Sequence, residues 1–114
     1  MKKAVVRIGD ISIGHTDVKG RQVIGTIVSG SDNVLNKDIG IASSSSFVFF
    51  PSHPHSTDSK GNPTDYQTHT VNIISSGKNK INNKNIAVSG DACEFPCTDS
   101  LVQATSVDLY CETL

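Results

Sequence analysis

The sequence predicts an all-β chain, and three observations carry that prediction. Apolar residues nowhere recur at three-and-four spacing for more than a turn. Gly, Ser, Thr, Asn and Asp interrupt every candidate helix. The chain also contains one hairpin-like stretch twice. Ser76 to Asp91 reads as strand, tight turn, strand and a Gly-Asp exit, and a shift of 47 residues lays it on the stretch from Ser29 to Ile41. Over positions 29 to 39 five pairs are identical, namely Ser29/Ser76, Gly30/Gly77, Asn36/Asn83, Lys37/Lys84 and Ile39/Ile86. That regularity marks an internal repeat.

Both termini echo the unit. Ala4 to Asp10 resembles its tail, Ile86 to Asp91, and Thr105 to Tyr110 resembles its beginning, Gly30 to Leu35. The reading is three copies of a β-hairpin, one of them split between the ends of the chain. Pairing of the first strand with the last would close the fold with pseudo-threefold symmetry.

Taken in order, Lys3 to Ile8 is a β-rich run ended by the turn signal Gly9-Asp10. Residues 11 to 21 read as a loop carrying His15, and Val23 to Val28 as the next strand. The first full hairpin follows, with Asn36-Lys37 at its tip, where Asn tolerates the positive φ of a tight turn. Ser43 to Ser46 stands where the other copies have their Gly-Asp exit. Phe47 to Phe50 holds three of the four Phe residues and reads as a buried strand, with an apolar patch for a partner protein as the alternative. Ser52 to Gln67, rich in Pro, Gly, Ser and Asp, reads as a long loop, and loops of that length in a compact domain usually serve a function. Thr70 to Ser75 returns to strand. After the second hairpin come a Cys-bearing loop and a last strand, Leu101 to Tyr110.

The 114 residues make a single domain, 1–114. Hydrophobic residues are 36% and Trp is absent, so a Val/Ile core would be thin and a metal or partner surface is expected to supplement it. A net charge of −1 gives no electrostatic case for nucleic acid or an anionic membrane. Lys2-Lys3 followed by Ala-Val-Val is too brief for a signal peptide, and no apolar run approaches membrane length. The expectation is synthesis in the cytosol and, if the protein leaves the cell, export without a cleaved leader. Cys93, Cys97 and Cys111 are an odd set, which argues against a disulfide framework and for metal ligation or burial.

The residues able to carry chemistry are His15, His53, His55, His69, Cys93 and Cys97. All six are expected in loops, and loops leaving equivalent hairpins emerge on one side of a three-copy fold. Mixed imidazole and thiolate donors suit Zn²⁺. The proposed ligands are His15, His55, His69 and Cys93, with His53 and Cys97 as alternatives. His53 and His55 are separated by one residue, so an extended chain points both the same way. Four protein ligands would make the site closed and structural. Catalysis finds little support, because no nucleophile has a base, no Gly-x-Ser-x-Gly setting surrounds the serines, and the carboxylates are scattered turn residues.

Ala4-Val5-Val6-Arg7-Ile8-Gly9-Asp10 resembles the signature of the PAAR-repeat proteins, and Ile86-Ala87-Val88-Ser89-Gly90-Asp91 looks like a degenerate copy without the Arg. Ser29 to Asn36 is similar to that family's hairpin, Gly14-His15 to its Gly-His after the first Gly-Asp, and His69 to its His ahead of the second hairpin. The resemblance covers nearly the whole chain through short motifs. It implies a small conical fold with zinc near the apex, held by three His and one Cys. In this sequence the Cys departs from the family's position, since Asp65-Tyr66-Gln67 stands where some relatives place it and Cys93 is the nearest substitute. It further implies a structural, non-enzymatic tip that caps a trimeric β-helical spike, one monomer per trimer, in a contractile phage tail or a type VI secretion system. Such a tip would sit at the virion tail baseplate, or in the cytoplasm before secretion, and would touch the target membrane transiently. It would need neither nucleic acid nor a small-molecule substrate, and with nothing after residue 114 it would carry no fused toxin. The alternatives are an adaptor that loads effectors onto the spike and a small zinc hydrolase.

Overall fold

The computed structural model describes residues 1–114. It is all-β, with twelve strands and no helix. In chain order these are β1 (Lys2–Ala4), β2 (Ile11–Ile13), β3 (Gly25–Ile27), β4 (Leu35–Asn36), β5 (Ile39–Gly40), β6 (Phe47–Thr57), β7 (Pro63–Ile74), β8 (Lys80–Ile81), β9 (Lys84–Asn85), β10 (Ala92–Cys93), β11 (Leu101–Gln103) and β12 (Tyr110–Glu112). The molecule measures 49 × 26 × 23 Å, so one axis is about twice the others.

Three short hairpins form one part of it: β4–β5, β8–β9, and β12–β1, which joins the two ends of the chain. The split third copy is as the sequence implies. Its register also agrees, since the Val5 N–H donates to Leu109 O as the Ile41 N–H donates to Val34 O. The turns differ from the expected Asn-Lys pairs. They are Lys37-Asp38 (φ 51° and 66°) and Asn82-Asn83 (φ 49° and 66°), two consecutive left-handed residues as a type I′ turn requires. Shared letters therefore overstate the offset between copies by two residues. In space Ile41 answers to Ile86 and Ala42 to Ala87, not Ile39 to Ile86.

Each hairpin runs into a central ring of three segments. The Val6 N–H donates to Ala87 O, the Ala87 N–H to Ala42 O, and the Ala42 N–H to Val6 O, at 2.9–3.0 Å. Each segment then enters a tight turn, Arg7 to Asp10, Ser43 to Ser46 or Val88 to Asp91. In all three the fourth residue's side chain accepts the first residue's N–H: Asp10 from Arg7, Ser46 from Ser43, Asp91 from Val88. The seryl stretch is therefore the third copy of the Gly-Asp exit. Alternation along an extended chain sends successive residues to opposite sides. Val6, Ala42 and Ala87 join one apolar core, while Val5 and Ile41 join a second with Ile81, Val88 and Cys111.

The chain leaves the three turns by β2, β6 and β10, which enter a closed six-stranded antiparallel barrel in the order β10-β11-β2-β3-β6-β7. Ile27, Val48, Phe50, Ile73 and Val102 fill it. Gly25 is needed here, because a Cβ would lie 2.3 Å from Ser12 Oγ and 2.8 Å from Phe50. The alternation in β6 splits the Phe run. Phe50 is fully buried, whereas Phe47 and Phe49 face outward, 47% and 39% exposed.

Two expected loops are strands. Residues 11–13 pair with both β3 and β11, and the 52–67 segment belongs to the β6–β7 hairpin, whose tip is the Asp58–Asn62 turn. Polar residues on both faces of that segment hide its period, and Pro51, Pro54 and Pro63 suggest a break. A two-stranded ribbon tolerates both, since its outer edges have no ladder to complete. β3 reaches only Phe49 and β10 only Ile73, so from Phe50 and His69 outward the two strands of the ribbon pair only with each other, with Lys19 Nζ of the segment after β2 donating to Gly61 O at the tip. The expected last strand is likewise two, β11 and β12, separated by the Ser106 to Asp108 turn.

Candidate metal centre

All four histidines meet where the ribbon leaves the barrel. Ile73, Val71 and His69 follow one another at every second position of β7. Val48 and Phe50 do the same in β6, but Phe50 pairs with His69 while His53 pairs with Gln67, so β6 has one extra residue between them. This β-bulge shifts the phase of the strand. Without it Ser52 and Pro54 would take the inward places. With it His53 and His55 continue the line that begins at Val48 and Phe50. The inward face of one hairpin thus changes from aliphatic to aromatic to imidazole along its length.

The ligand nitrogens of His53, His55 and His69 all lie within 4.8 Å of one another, and the group could hold a metal ion. His53 is buried, and His55 and His69 are half-buried. Their ring centroids are 4.4 Å (His53–His55), 4.4 Å (His55–His69) and 5.0 Å (His53–His69) apart. His15, two residues beyond β2, closes the group from the side. It is 8% exposed, packs against the edge of Phe50, and brings its Nε2 to 3.3 Å from His53 Nε2.

The Nδ1 atoms of three of the four are already engaged. His53 Nδ1 contacts Pro51 O at 2.7 Å, His55 Nδ1 contacts Asp65 O at 3.1 Å, and His15 Nδ1 contacts the Asp99 carboxylate at 2.7 Å. Carbonyl and carboxylate oxygens only accept, so each Nδ1 carries the proton and each Nε2 presents a lone pair. His15 and His53 therefore face each other lone pair to lone pair, and His55 Nε2 makes a still closer contact with His69 Nε2. The His15–His53 arrangement is repulsive unless a cation lies between the two nitrogens. Two imidazoles bound tetrahedrally to one ion at about 2.0–2.1 Å stand about 3.3–3.4 Å apart, the separation seen for His15 and His53. Burial, and then the neighbouring His55, His53 and His15, hold the His69 pKa below its ordinary value, which favours the neutral form that ligates.

The structure brings together three histidines of the expected four-ligand set and adds His53, the alternative to His55. It does not bring Cys93. Cys93 pairs with Ile73, four residues after His69 along β7, so it sits about 13 Å lower on the barrel wall at roughly 3.3 Å per residue. Cys93 and Cys97 are both fully buried in the barrel core. Burial pushes each thiol up to about 11, so both are protonated at neutral pH. Cys111 is buried in the second core, and all three cysteines are free. Nor are the histidines on loops, for three of them lie within β6 and β7. The i, i+2 spacing of His53 and His55 was the one signal in the sequence able to place them on a strand together.

No protein-family model matches the chain, and neither a curated protein nor a solved structure matches it.

Proposed function

We propose that this protein is a metal-braced tip that caps the trimeric β-helical spike of a contractile injection machine, of the phage-tail or type VI secretion kind. The observation that carries the reading is the ring of three hydrogen bonds linking Val6, Ala87 and Ala42. A single chain whose cross-section repeats three times offers near-equal faces to three identical subunits, which avoids the symmetry mismatch of an ordinary monomer on a trimer. Capping would also cover the spike's terminal strand edges. The resemblance of residues 4–10 and 86–91 to the PAAR signature supports the same reading.

His53, His55, His69 and His15 are the residues that would hold the ion, and Zn²⁺ suits four imidazole nitrogens without bringing redox chemistry. The role of the ion is mechanical. β6 and β7 beyond Phe50 pair only with each other, and an isolated two-stranded hairpin is marginal in water. Ligands on both strands and on the segment after β2 would fasten the ribbon to the barrel. With all four imidazoles committed, no position is left to activate water, so the reading is not enzymatic.

Native mass spectrometry of the zinc-loaded chain with a trimeric β-helical spike fragment tests the proposal. One chain per trimer is expected. Three chains per trimer, or no complex at the highest soluble concentration, would overturn it. A second reading, an effector-loading adaptor, draws on the outward Phe47 and Phe49 of the barrel wall. It predicts a complex with a non-spike partner that Phe47→Ser and Phe49→Ser abolish.

A further inference from the structure

We infer that Asp99 is a positioning residue of the histidine centre, and that the segment from Cys93 to Ser100 serves the metal through this carboxylate rather than through its thiols. The inference rests on the metal-binding reading of the four histidines. Asp99 Oδ1 stands 2.7 Å from His15 Nδ1, and it is the only carboxylate on any of the four imidazoles; the Nδ1 partners of His53 and His55 are backbone carbonyls. Its contact fixes the proton of His15 on Nδ1 and leaves Nε2 free to point at His53 Nε2. A carboxylate behind a ligating imidazole raises the basicity of the ligand and locks the ring plane.

A second, independent feature shows that this approach is built into the backbone. A Cβ on Gly14 would lie 2.5 Å from the Asp99 carbonyl oxygen, so only glycine lets the 94–100 segment come this close to the residue before His15. Gly14 also adopts φ +107°, which ordinary side chains resist. The segment itself is folded into consecutive turns, the Cys97 N–H donating to Glu94 O and the Ser100 N–H to Cys97 O. Cys93, just ahead of the first turn, and Cys97, where the two turns meet, are sunk in the core and anchor the segment that carries Asp99.

The need for such a residue follows from where His15 lies. His53, His55 and His69 belong to one hairpin, and their mutual placement follows from its register and bulge. His15 comes from a different part of the chain, just past the end of β2; the Val23 N–H donates to its carbonyl, but the hairpin's register does not set the angle of its ring. Of the four it depends most on an external orienting group. Asp99 also adds one negative charge beside a centre of four neutral ligands and a dication, offsetting part of the excess positive charge.

The test is a competition titration of Zn²⁺ against a chromophoric chelator, using the full chain and its Asp99→Asn, Asp99→Ala, His15→Ala and Asp99→Ala/His15→Ala variants. Asp99→Ala is expected to bind Zn²⁺ about 10–100-fold more weakly, the usual loss when an outer partner of a ligating histidine is removed. Asp99→Asn should fall between it and the parent, because the amide oxygen still accepts from Nδ1. The double variant should bind no more weakly than His15→Ala, since both changes act through one ligand. An Asp99→Ala affinity within about twofold of the parent, below that usual loss, would overturn the inference, as would full additivity of the two single losses. A readout independent of any variant is the long-range ¹H–¹⁵N spectrum of the zinc-loaded parent. It should show His15 metallated at Nε2 with its proton on Nδ1, and ligation through Nδ1 would sink the idea. Failure of the parent itself to bind Zn²⁺ is a different result, because it overturns the metal centre and this inference together.

Discussion

The ring of hairpins and the histidine ribbon are built on opposite principles. The ring is repeated in sequence and closed by backbone hydrogen bonds; its side chains mostly decide which of two apolar cores each residue enters. The ribbon occurs once, is longer than any other element, and leaves the barrel with only its own cross-strand pairs. One region is over-determined by three similar copies. The other depends on a bulge, a carboxylate and four imidazoles. The comparison teaches that symmetry makes the platform here, while the chemistry lies in the one place where symmetry is broken.

Removing the metal separates the two regions most sharply. With Zn²⁺ about a thousandfold above its Kd, binding adds about 4 kcal/mol to stability, which for a chain of this size raises the melting temperature by on the order of 15 °C. His53→Ala, His55→Ala and His69→Ala should each lose most of that increment in a calorimetric melt, and chelator should return the parent to its metal-free value. Cys93→Ser should keep the increment even if its baseline melt drops, because the thiol packs in the core. A melt unaffected by Zn²⁺, or an increment lost in Cys93→Ser and kept in His53→Ala, would break the division.

The turns of the ring give a smaller and graded effect. Asp10 accepts from the Arg7 N–H and from the Thr105 N–H and hydroxyl, and Asp91 from the Val88 N–H and from the Ser76 N–H and hydroxyl. Ser46, at the third position, accepts only from the Ser43 N–H. Each aspartate reaches out from the turn to tie a neighbouring segment to it, and the serine does not. Asp10→Ala and Asp91→Ala should each cost about 2–3 kcal/mol in denaturant melts, and Ser46→Ala about 1 kcal/mol. Equal losses at all three would mean that the inner bond alone matters. None of the three should weaken Zn²⁺ binding, since the turns lie below the histidines.

The same contrast explains what could be read from the sequence. The hairpins, their split third copy and the all-β class were legible because repetition multiplies a weak local signal: Leu109 could be matched to Val34 although neither is distinctive alone. The turn register was not, because Asn36-Lys37 and Asn83-Lys84 share letters while the strands around them set the turns at Lys37-Asp38 and Asn82-Asn83. Convergence of the histidines followed from the topology, but their membership did not. His53 enters only through the bulge between Phe50 and His53, which no local motif announces. Thiolate chemistry alone favours Cys93 as a ligand, but its cross-strand pairing with Ile73 places it at another level of the barrel. Asp99 left no signal in the sequence, because its role exists only through Gly14 and His15, more than eighty residues away.

Acidity should produce the smallest effect, and its sign distinguishes the ribbon from the ring. In the unfolded chain the His69 imidazole takes up a proton near its ordinary value of 6.5; in the fold, burial and then the adjacent imidazoles hold that uptake to lower pH. Between the two values the unfolded state binds more protons, so metal-free stability is full above about pH 6.5 and declines as pH falls toward the folded value, with no further loss from this group below it. The ring contributes no histidine to this window. Metal-free melts at pH 7.5 and 5.5 should therefore show a drop in the parent that is smaller in His69→Gln. An equal drop in both would place the acid-sensitive group outside the ribbon. In the presence of Zn²⁺ the same change of pH should cost more, because protons then compete with the ion for every Nε2.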